Sequence, residues 1–312
     1  MAEKKLKFGV LGFGSIGRRH YDNLHKMDHD VRFYDPIDPD PADANPYSRD
    51  DVIEWADAVL VCTPTGNHFQ DMIDVLDHGK HCFVEKPIAY ESPELVDTFM
   101  KTARSRWLYK TIIATGFNLH FHECVVRAEK ILADDLLGEI LGASFSVLQK
   151  SDKQEYLRDG VIRNWACHEI DLAMHLLGDL EVVDAFADVN AEGRDQASCS
   201  IDMRRDGIRG IIKVNADYNV EPWERFFWIK GKNGTLYCNL LERTMHIDFD
   251  NKGMAPYTYK GVGSFDKDYK VEMLHFANSC KAGKHIEPLA YGEEGVRNLY
   301  AIMKARKLAR VT

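Results

Sequence analysis

The chain predicts an α/β protein of two domains, and three observations carry that reading. A glycine-rich turn joins an apolar strand to a helix at the N-terminus. Short apolar strands then alternate with helical patterns as far as residue 118, as a parallel sheet with crossover helices requires. Beyond that point the alternation stops, and runs of strands indicate a separate α+β domain. The expected division is 1–118 and 119–312. A length of 312 residues allows about two domains, each with its own core.

The first strand and turn read "KFGVLGFGSIGRRH". The apolar run over 6–11 enters the turn Gly12, Phe13, Gly14, Ser15, Ile16, Gly17, and a helical pattern follows to about Lys26. Gly-x-Gly-x-x-Gly alone is a weak signal, but between a strand and a helix it has the context of a dinucleotide site. Gly12 permits the tight turn, Gly14 lets backbone approach a pyrophosphate, and Gly17 lets helix and strand pack closely. The helix N-terminus offers its N–H groups to the phosphates. The next run, "VRFYD", ends at Asp35, where a ribose-binding acid belongs. Asp35 would accept from the ribose 2′-OH and repel a 2′-phosphate, and Asp38 and Asp40 add negative charge nearby. The expected cofactor is therefore NAD.

"ADAVLVCTPTGNH" reads as a buried parallel strand halted by Thr63-Pro64, with a helix over about 67–79. "HCFVEKPIAY" gives another strand ending near Glu85, with Lys86-Pro87 beyond it. Ser92-Pro93 opens the next helix as N-cap and first helical residue, and 111–116 supplies a further strand. Ligands of an open parallel sheet sit outside the carboxyl ends of its strands. The loops 12–17, 63–68 and 85–87 therefore converge on one crevice. Thr63, Pro64, His68, Glu85 and Lys86 join the glycine turn and Asp35 as expected cofactor-binding residues.

The second domain is expected to hold a helix near 121–134, a strand over 138–150, several strands between 180 and 249, and helices near 267–282 and 291–309. "WERFFWIKG" is apolar on both faces, since Trp223, Phe227 and Ile229 alternate with Phe226 and Trp228. One face can pack on helices of its own domain. The other needs cover, and a second copy of the chain would supply it as a homo-dimer or homo-tetramer.

"RNWACHEIDLAMHLLGD" (163–179) superficially resembles a zinc-protease helix, but position 172 is leucine where H-E-x-x-H needs histidine. His168 and His175 would stand roughly 10 Å apart along a helix at ~1.5 Å per residue, too far for Zn–N bonds of about 2 Å. No metal site is expected. At about 100° per residue, Asn164, His168, Asp171 and His175 share one arc if the helix begins by residue 164. Cys167, Ile170, Met174 and Leu177 face the core. A dehydrogenase needs a group to take the hydroxyl proton and a positive charge for the developing alkoxide. His168 and Lys86 meet both needs if this helix is placed over the crevice.

A net charge of −9 excludes nucleic acid or an anionic membrane as the default partner. No apolar run reaches the ~18 residues of a membrane span, and the N-terminus lacks the pattern of a signal peptide. Seven cysteines without a C-x-x-C suit free thiols in a reducing, cytoplasmic setting.

Together these segments resemble the glucose–fructose oxidoreductase/inositol dehydrogenase family (Gfo/Idh/MocA). The likeness lies in "GFGSIGRRHYDNL", "VCTPTGNHFQDMIDVLDHGKHCFVEKPIA", "TGFNLHFHE" with "LGEILGASF", and "ACHEIDLAMHLLG". It implies a Rossmann domain joined to an α+β domain on an open, mostly antiparallel sheet, a nicotinamide cofactor, and sugar, cyclitol or nucleotide-sugar substrates. It also implies that Lys86 is the catalytic lysine and His168 the general acid/base. Asn164 stands where inositol dehydrogenases carry an aspartate, and His120 where an arginine is common. The segment "PIDPDPADANPYSRDD" replaces a helix and strand.

Asn164, Asp171, Arg163 and His120 are the expected substrate contacts. Loss of the aspartate's charge eases approach of an anionic substrate. Lys150, Lys153, Arg158 and Arg163 form a basic loop suited to a diphosphate or carboxylate. "ADYNVEPWERFFWIKGKNGTL" is similar to members acting in nucleotide-sugar pathways. The sequence thus favours an NAD-dependent dehydrogenase of a nucleotide-linked or acidic sugar, over a free-sugar or inositol dehydrogenase. The competing class is a non-catalytic NAD-binding regulator of the same fold, which would have no need of both Lys86 and His168.

Overall fold

The computed structural model describes residues 5–37, 47–106, 111–150, 159–190, 193–208, 210–251, 253 and 255–311. Strand β1 (Lys7–Leu11) is followed by α1 (Ser15–Lys26), β2 (Asp30–Tyr34), α2 (Arg49–Trp55) and β3 (Ala58–Val61). Then come α3 (Thr65–Asp77), β4 (His81–Glu85), α4 (Pro93–Arg106) and β5 (Ile113–Gly116). The five strands form one sheet in the order β2-β1-β3-β4-β5, parallel throughout. Every residue of β3 is buried, the all-apolar pattern of a strand covered on both faces.

The reversal of strand order lies between β1 and β3, so the loops after them flank the switch point where such sheets bind ligands. α2 opens with a reciprocal capping box between Ser48 and Asp51. It occupies part of the segment that the sequence reading left without a helix. Asp38 and Asp40 lie outside the described residues. α3 begins at Thr65, with Pro64 as N-cap, two residues ahead of the sequence expectation.

The chain divides into two units, residues 1–118 with 266–299 and residues 119–265 with 300–312. In the second unit, a 3₁₀ turn (Asn118–Phe121) leads to α5 (Glu123–Ala133) and β6 (Ile140–Leu148). A π-helical turn (Ile162–Ala166) runs into α6 (Cys167–Leu177). Strands β7 (Glu181–Val189), β8 (Asp195–Arg204), β9 (Ile212–Asp217) and β10 (Glu224–Gly231) follow, then β11 (Gly234–Asn239), β12 (Thr244–Phe249) and β13 (Tyr257–Lys260).

These strands make an eight-stranded sheet ordered β13-β12-β11-β10-β6-β9-β8-β7. Only its β6–β9 pair is parallel, and the others run antiparallel. Phe145, Val214, Phe227, Ile229 and Leu236 share a buried core with Val125, Ala128 and Ile131 of α5 and Ile170 and Ala173 of α6. Phe226 and Trp228, of opposite parity in β10, are half-buried, whereas Phe186 is 68% exposed. Trp223 precedes β10 and is exposed, so it does not continue the buried set of Phe227 and Ile229.

Helix α7 (Phe265–Ala282) differs from a single cut after residue 118, because it belongs largely to the first unit. Phe276 packs its ring on Phe8 and Phe83, with centroids 6.2 and 5.4 Å away. Burial of such a ring decides where a helix docks, whatever its place in the sequence. Thr115 also donates from its backbone to Ala290. The last helix, α8 (Gly292–Leu308), is divided between the units at Leu299/Tyr300. Among the described residues no helix is long and apolar enough to cross a membrane.

Candidate functional site

The glycine turn is shaped by contacts that exclude side chains. Gly12 has φ +88°, and a Cβ there would come 2.6 Å from the Cys62 carbonyl oxygen. A Cβ on Gly17 would approach the Gly12 carbonyl oxygen to 2.0 Å. Gly14, by contrast, has nothing within 4 Å of its missing Cβ. It caps α1 without any side-chain hydrogen bond, as a helix N-terminus offered to a phosphate requires. This cradle fits a pyrophosphate. Asp35 accepts from Phe13 N–H at 2.6 Å and from Ile37 N–H at 2.8 Å. Its carboxylate therefore stands beside the turn, as ribose recognition requires.

Three other residues expected to bind cofactor use their side chains to hold the loops instead. Thr63 Oγ1 donates to Asp71 at 2.6 Å, and Asp71 also accepts from Arg49. His68 is buried, with Nε2 2.7 Å from the Thr63 carbonyl and Nδ1 2.9 Å from the Pro87 carbonyl. Burial pushes its pKa down, against the opposing pull of those carbonyls and of Glu85 and Asp71. Glu85 is buried too, and accepts from His20 Nε2 at 2.7 Å and from Lys86 N–H at 3.2 Å. Burial works to raise its pKa, but His20, Lys86 and His68 outweigh it and hold the carboxyl below its usual range. Lys86 itself is only partly buried.

In the second unit the π-helical turn changes the geometry of the polar row. A π turn closes i→i+5 hydrogen bonds, so the α-helical angle does not carry back to Asn164. The α-helix starts at Cys167. His168, Asp171 and His175 share its face, while Asn164 lies beside the Tyr218 hydroxyl. Asp195 holds the start of the turn, accepting from Ile162 N–H at 2.7 Å and from Arg306 at 3.0 Å. Gly160 (φ +81°) backs onto this carboxylate, where a Cβ would come within 2.2 Å of its oxygen.

His168 is partly exposed, but its neighbour Glu169 is buried and accepts from Arg225 Nε at 2.7 Å. The "HE" pair thus divides into a partly exposed imidazole and a buried ion pair. Asp171 and His120 are buried together, 2.8 Å apart. The His120 ring stacks on His175 at 3.7 Å, and His175 Nε2 meets Glu129 at 2.9 Å. The structure thus brings Asp171, His120 and His175 into one network.

The basic loop is weaker as an anion site than its sequence suggests. Lys150 pairs with Glu221 at 3.4 Å, and Lys153 and Arg158 lie outside the described residues. Arg163 is directed at Met303 Sδ, 3.8 Å away, and its charge acts on Asp195. A cleft of about 300 Å³ opens elsewhere in this unit, between Leu132, Leu137, Ile140, Leu176 and Arg205, and contains none of the expected residues.

Sequence reading missed His20, Asp195 and Arg306. His20 follows Gly17 by one helical turn, but its partner Glu85 is 65 residues away. Asp195 and Arg306 are 111 residues apart, so no local period marks either pair.

Comparison with known proteins adds findings of three kinds. Residues 6–109 match the family model described as "Oxidoreductase family, NAD-binding Rossmann fold", and residues 125–237 match the "GFO/IDH/MocA C-terminal domain". The inositol 2-dehydrogenase of Rhizobium meliloti is 30% identical, with 94% of each chain covered. The myo-inositol 2-dehydrogenase of Thermotoga maritima is 24% identical over 97% of this chain and 96% of its own. Among solved structures, UDP-N-acetylglucosamine 3-dehydrogenase from Acidithiobacillus ferrooxidans superposes with a TM-score of 0.83 at 21% identity, covering 99% of both chains. A levoglucosan dehydrogenase in complex with NADH and levoglucosan gives a TM-score of 0.83 at 18% identity, over 98% of this chain and 97% of its own.

Proposed function

This chain belongs to the Gfo/Idh/MocA family of NAD-binding oxidoreductases, and from that premise we propose that it oxidises a ring hydroxyl of a nucleotide-linked or acidic sugar. It is an NAD-dependent dehydrogenase from a family acting on hydroxyl groups of sugars and polyols. NAD, when bound, supplies the hydride acceptor. Gly12–Gly17 and the first turn of α1 hold its pyrophosphate, and Asp35 its adenosine ribose.

A ring nitrogen of His168 takes the hydroxyl proton, and the Lys86 ammonium stabilises the alkoxide as it forms. Asp171 and His120 bind substrate hydroxyls as a pair, and Asn164 contributes from the π-helical turn that precedes α6 rather than from the α6 face. Retention of both Lys86 and His168 favours an enzyme over a regulator.

Asn164 carries the substrate reading. Where inositol dehydrogenases have a carboxylate, this chain has a neutral amide. At ~8 Å and an effective dielectric of about 20, one negative charge repels another by about 2 kcal/mol, so its absence favours an anionic substrate. The Rhizobium relative, at 30% identity, supports inositol as the second reading.

A thermal-shift panel with NAD present separates the two. A UDP-hexose or hexuronate should raise Tm, while myo-inositol and free glucose should do so weakly. Efficient turnover of inositol with no response to any nucleotide sugar would install the second reading. We further propose that the open sheet face bearing Phe226, Trp228 and Phe186 meets a second copy, giving a dimer or tetramer. All seven cysteines are free and buried, which supports a cytoplasmic, reducing setting.

A further inference from the structure

Lys86 is flanked by two residues that are each held by a histidine from a different helix. On one side Glu85 spans His20 of α1 and the Lys86 N–H, at 2.7 and 3.2 Å. On the other side the Pro87 carbonyl meets His68 Nδ1 of α3 at 2.9 Å, while His68 Nε2 meets the Thr63 carbonyl at 2.7 Å. We infer that His20 and His68 are positioning residues that clamp the Lys86 loop to the glycine-turn helix and to the Thr63 loop. This rests on the reading of Lys86 as catalytic and deepens it.

The geometry is economical because each ring joins two elements. His20 sits one helical turn past Gly17, on the helix whose N-terminus would hold the cofactor phosphates. A shift of α1 is therefore transmitted through Glu85 to the backbone of Lys86. His68 lies between two carbonyl oxygens, which can only accept, so a neutral ring donates to one and an imidazolium to both. Glu85 is thus bonded to His20 and the Pro87 carbonyl lies against the His68 ring, so both neighbours of Lys86 abut a buried histidine. A misplacement of about 1 Å can cost a reacting group ~10²-fold in rate, so fixing the loop on both sides has a catalytic purpose.

Both histidines are fully buried, at 0% and 2% exposure, and the competing account is that they only fill the core. His20 does pack edge-on to Phe83 and Tyr269, with centroids 5.4 and 5.9 Å away. Leucine would serve that packing but could not donate. Glutamine would keep a donor near the Nε2 position.

The test reads Lys86 directly and needs no substrate. Wild type, His20→Leu, His20→Gln and His68→Gln are acetylated with an N-hydroxysuccinimide ester, and modification at Lys86 is timed by mass spectrometry. Lys230, paired with Asp250 at 2.8 Å, serves as the internal reference. His20→Leu should change the Lys86 rate by about fivefold, the scale of one net hydrogen bond, with Lys230 unchanged. NADH affinity should stay within about threefold, and His20→Gln should restore the wild-type Lys86 rate. If His20→Leu does not fold, His68→Gln reads the Pro87 flank in the same way. A Lys86 rate unmoved in the folded variants, or glutamine at position 20 behaving like leucine, overturns the clamp. Retained turnover in Lys86→Ala would instead overturn the catalytic reading on which it rests.

Discussion

Replacing Gly14 and Gly17 by alanine, one at a time, should separate the binding role of the turn from its folding role. At Gly17 the new methyl would stand 2.0 Å from the Gly12 carbonyl oxygen and 3.4 Å from a Val10 methyl. The first distance is more than 1 Å inside ordinary contact, so α1 must lift from β1. Overpacking of this kind costs about 1–3 kcal/mol and occasionally more, or roughly 2–12 °C in Tm.

At Gly14 the backbone is extended (φ −70°, ψ −165°) and no atom lies within 4 Å of the new methyl. Gly14→Ala should therefore keep its Tm. Its methyl would instead fill the space through which the backbone approaches a pyrophosphate. Losing that approach should weaken NADH by about tenfold or more, equivalent to ~1.4 kcal/mol. Differential scanning fluorimetry without nucleotide measures the first effect, and NADH fluorescence titration the second. Wild-type NADH affinity in Gly14→Ala, or a lowered Tm in that variant, would refute the assignment of the turn.

The remaining predictions concern selectivity, chemistry and pH. Wild type should bind NADH well ahead of NADPH, and Asp35→Asn should narrow the gap in a fluorescence titration; equal affinities in wild type would remove Asp35 from its role. Lys86→Ala and His168→Ala should each lower turnover by about 10²–10⁴-fold while NADH binding persists, and a loss below about tenfold in either counts against the mechanism. His285 stacks on Tyr291 at 3.3 Å, and burial pushes its pKa down to about 4. The fold favours the neutral ring, so its contribution is complete above about 6.5, the ordinary histidine value, and is lost as pH falls toward 4. His285→Phe should flatten the decline of Tm across that window; an unchanged slope would exclude His285 as its source.

Local sequence determined the elements and the chemistry that comes with a fixed spacing. The Gly12–Gly17 turn, the acid at Asp35, the strand ending before Lys86 and the polar positions of α6 all depend on backbone geometry within a few residues. That geometry is set by sterics and periodicity, which a linear pattern records. The parallel pairing of the first sheet also follows from strand–helix alternation, since a crossover helix returns the chain to start the next strand in the same direction.

Tertiary structure decided what each polar side chain touches. Thr63, His68 and Glu85 stand on the expected loops, yet they turn inward because carbonyls and carboxylates buried beside them need partners. Glu169 lies next to His168 in the chain, but Arg225, 56 residues away, takes it out of the site. Arg163 belongs to a basic run in sequence and to the Asp195 and Met303 surroundings in space. The return of α7 to the first unit follows from where Phe276 finds aromatic surface. Such pairings depend on which buried groups meet across the fold, and the spacing of residues along a chain carries no record of that.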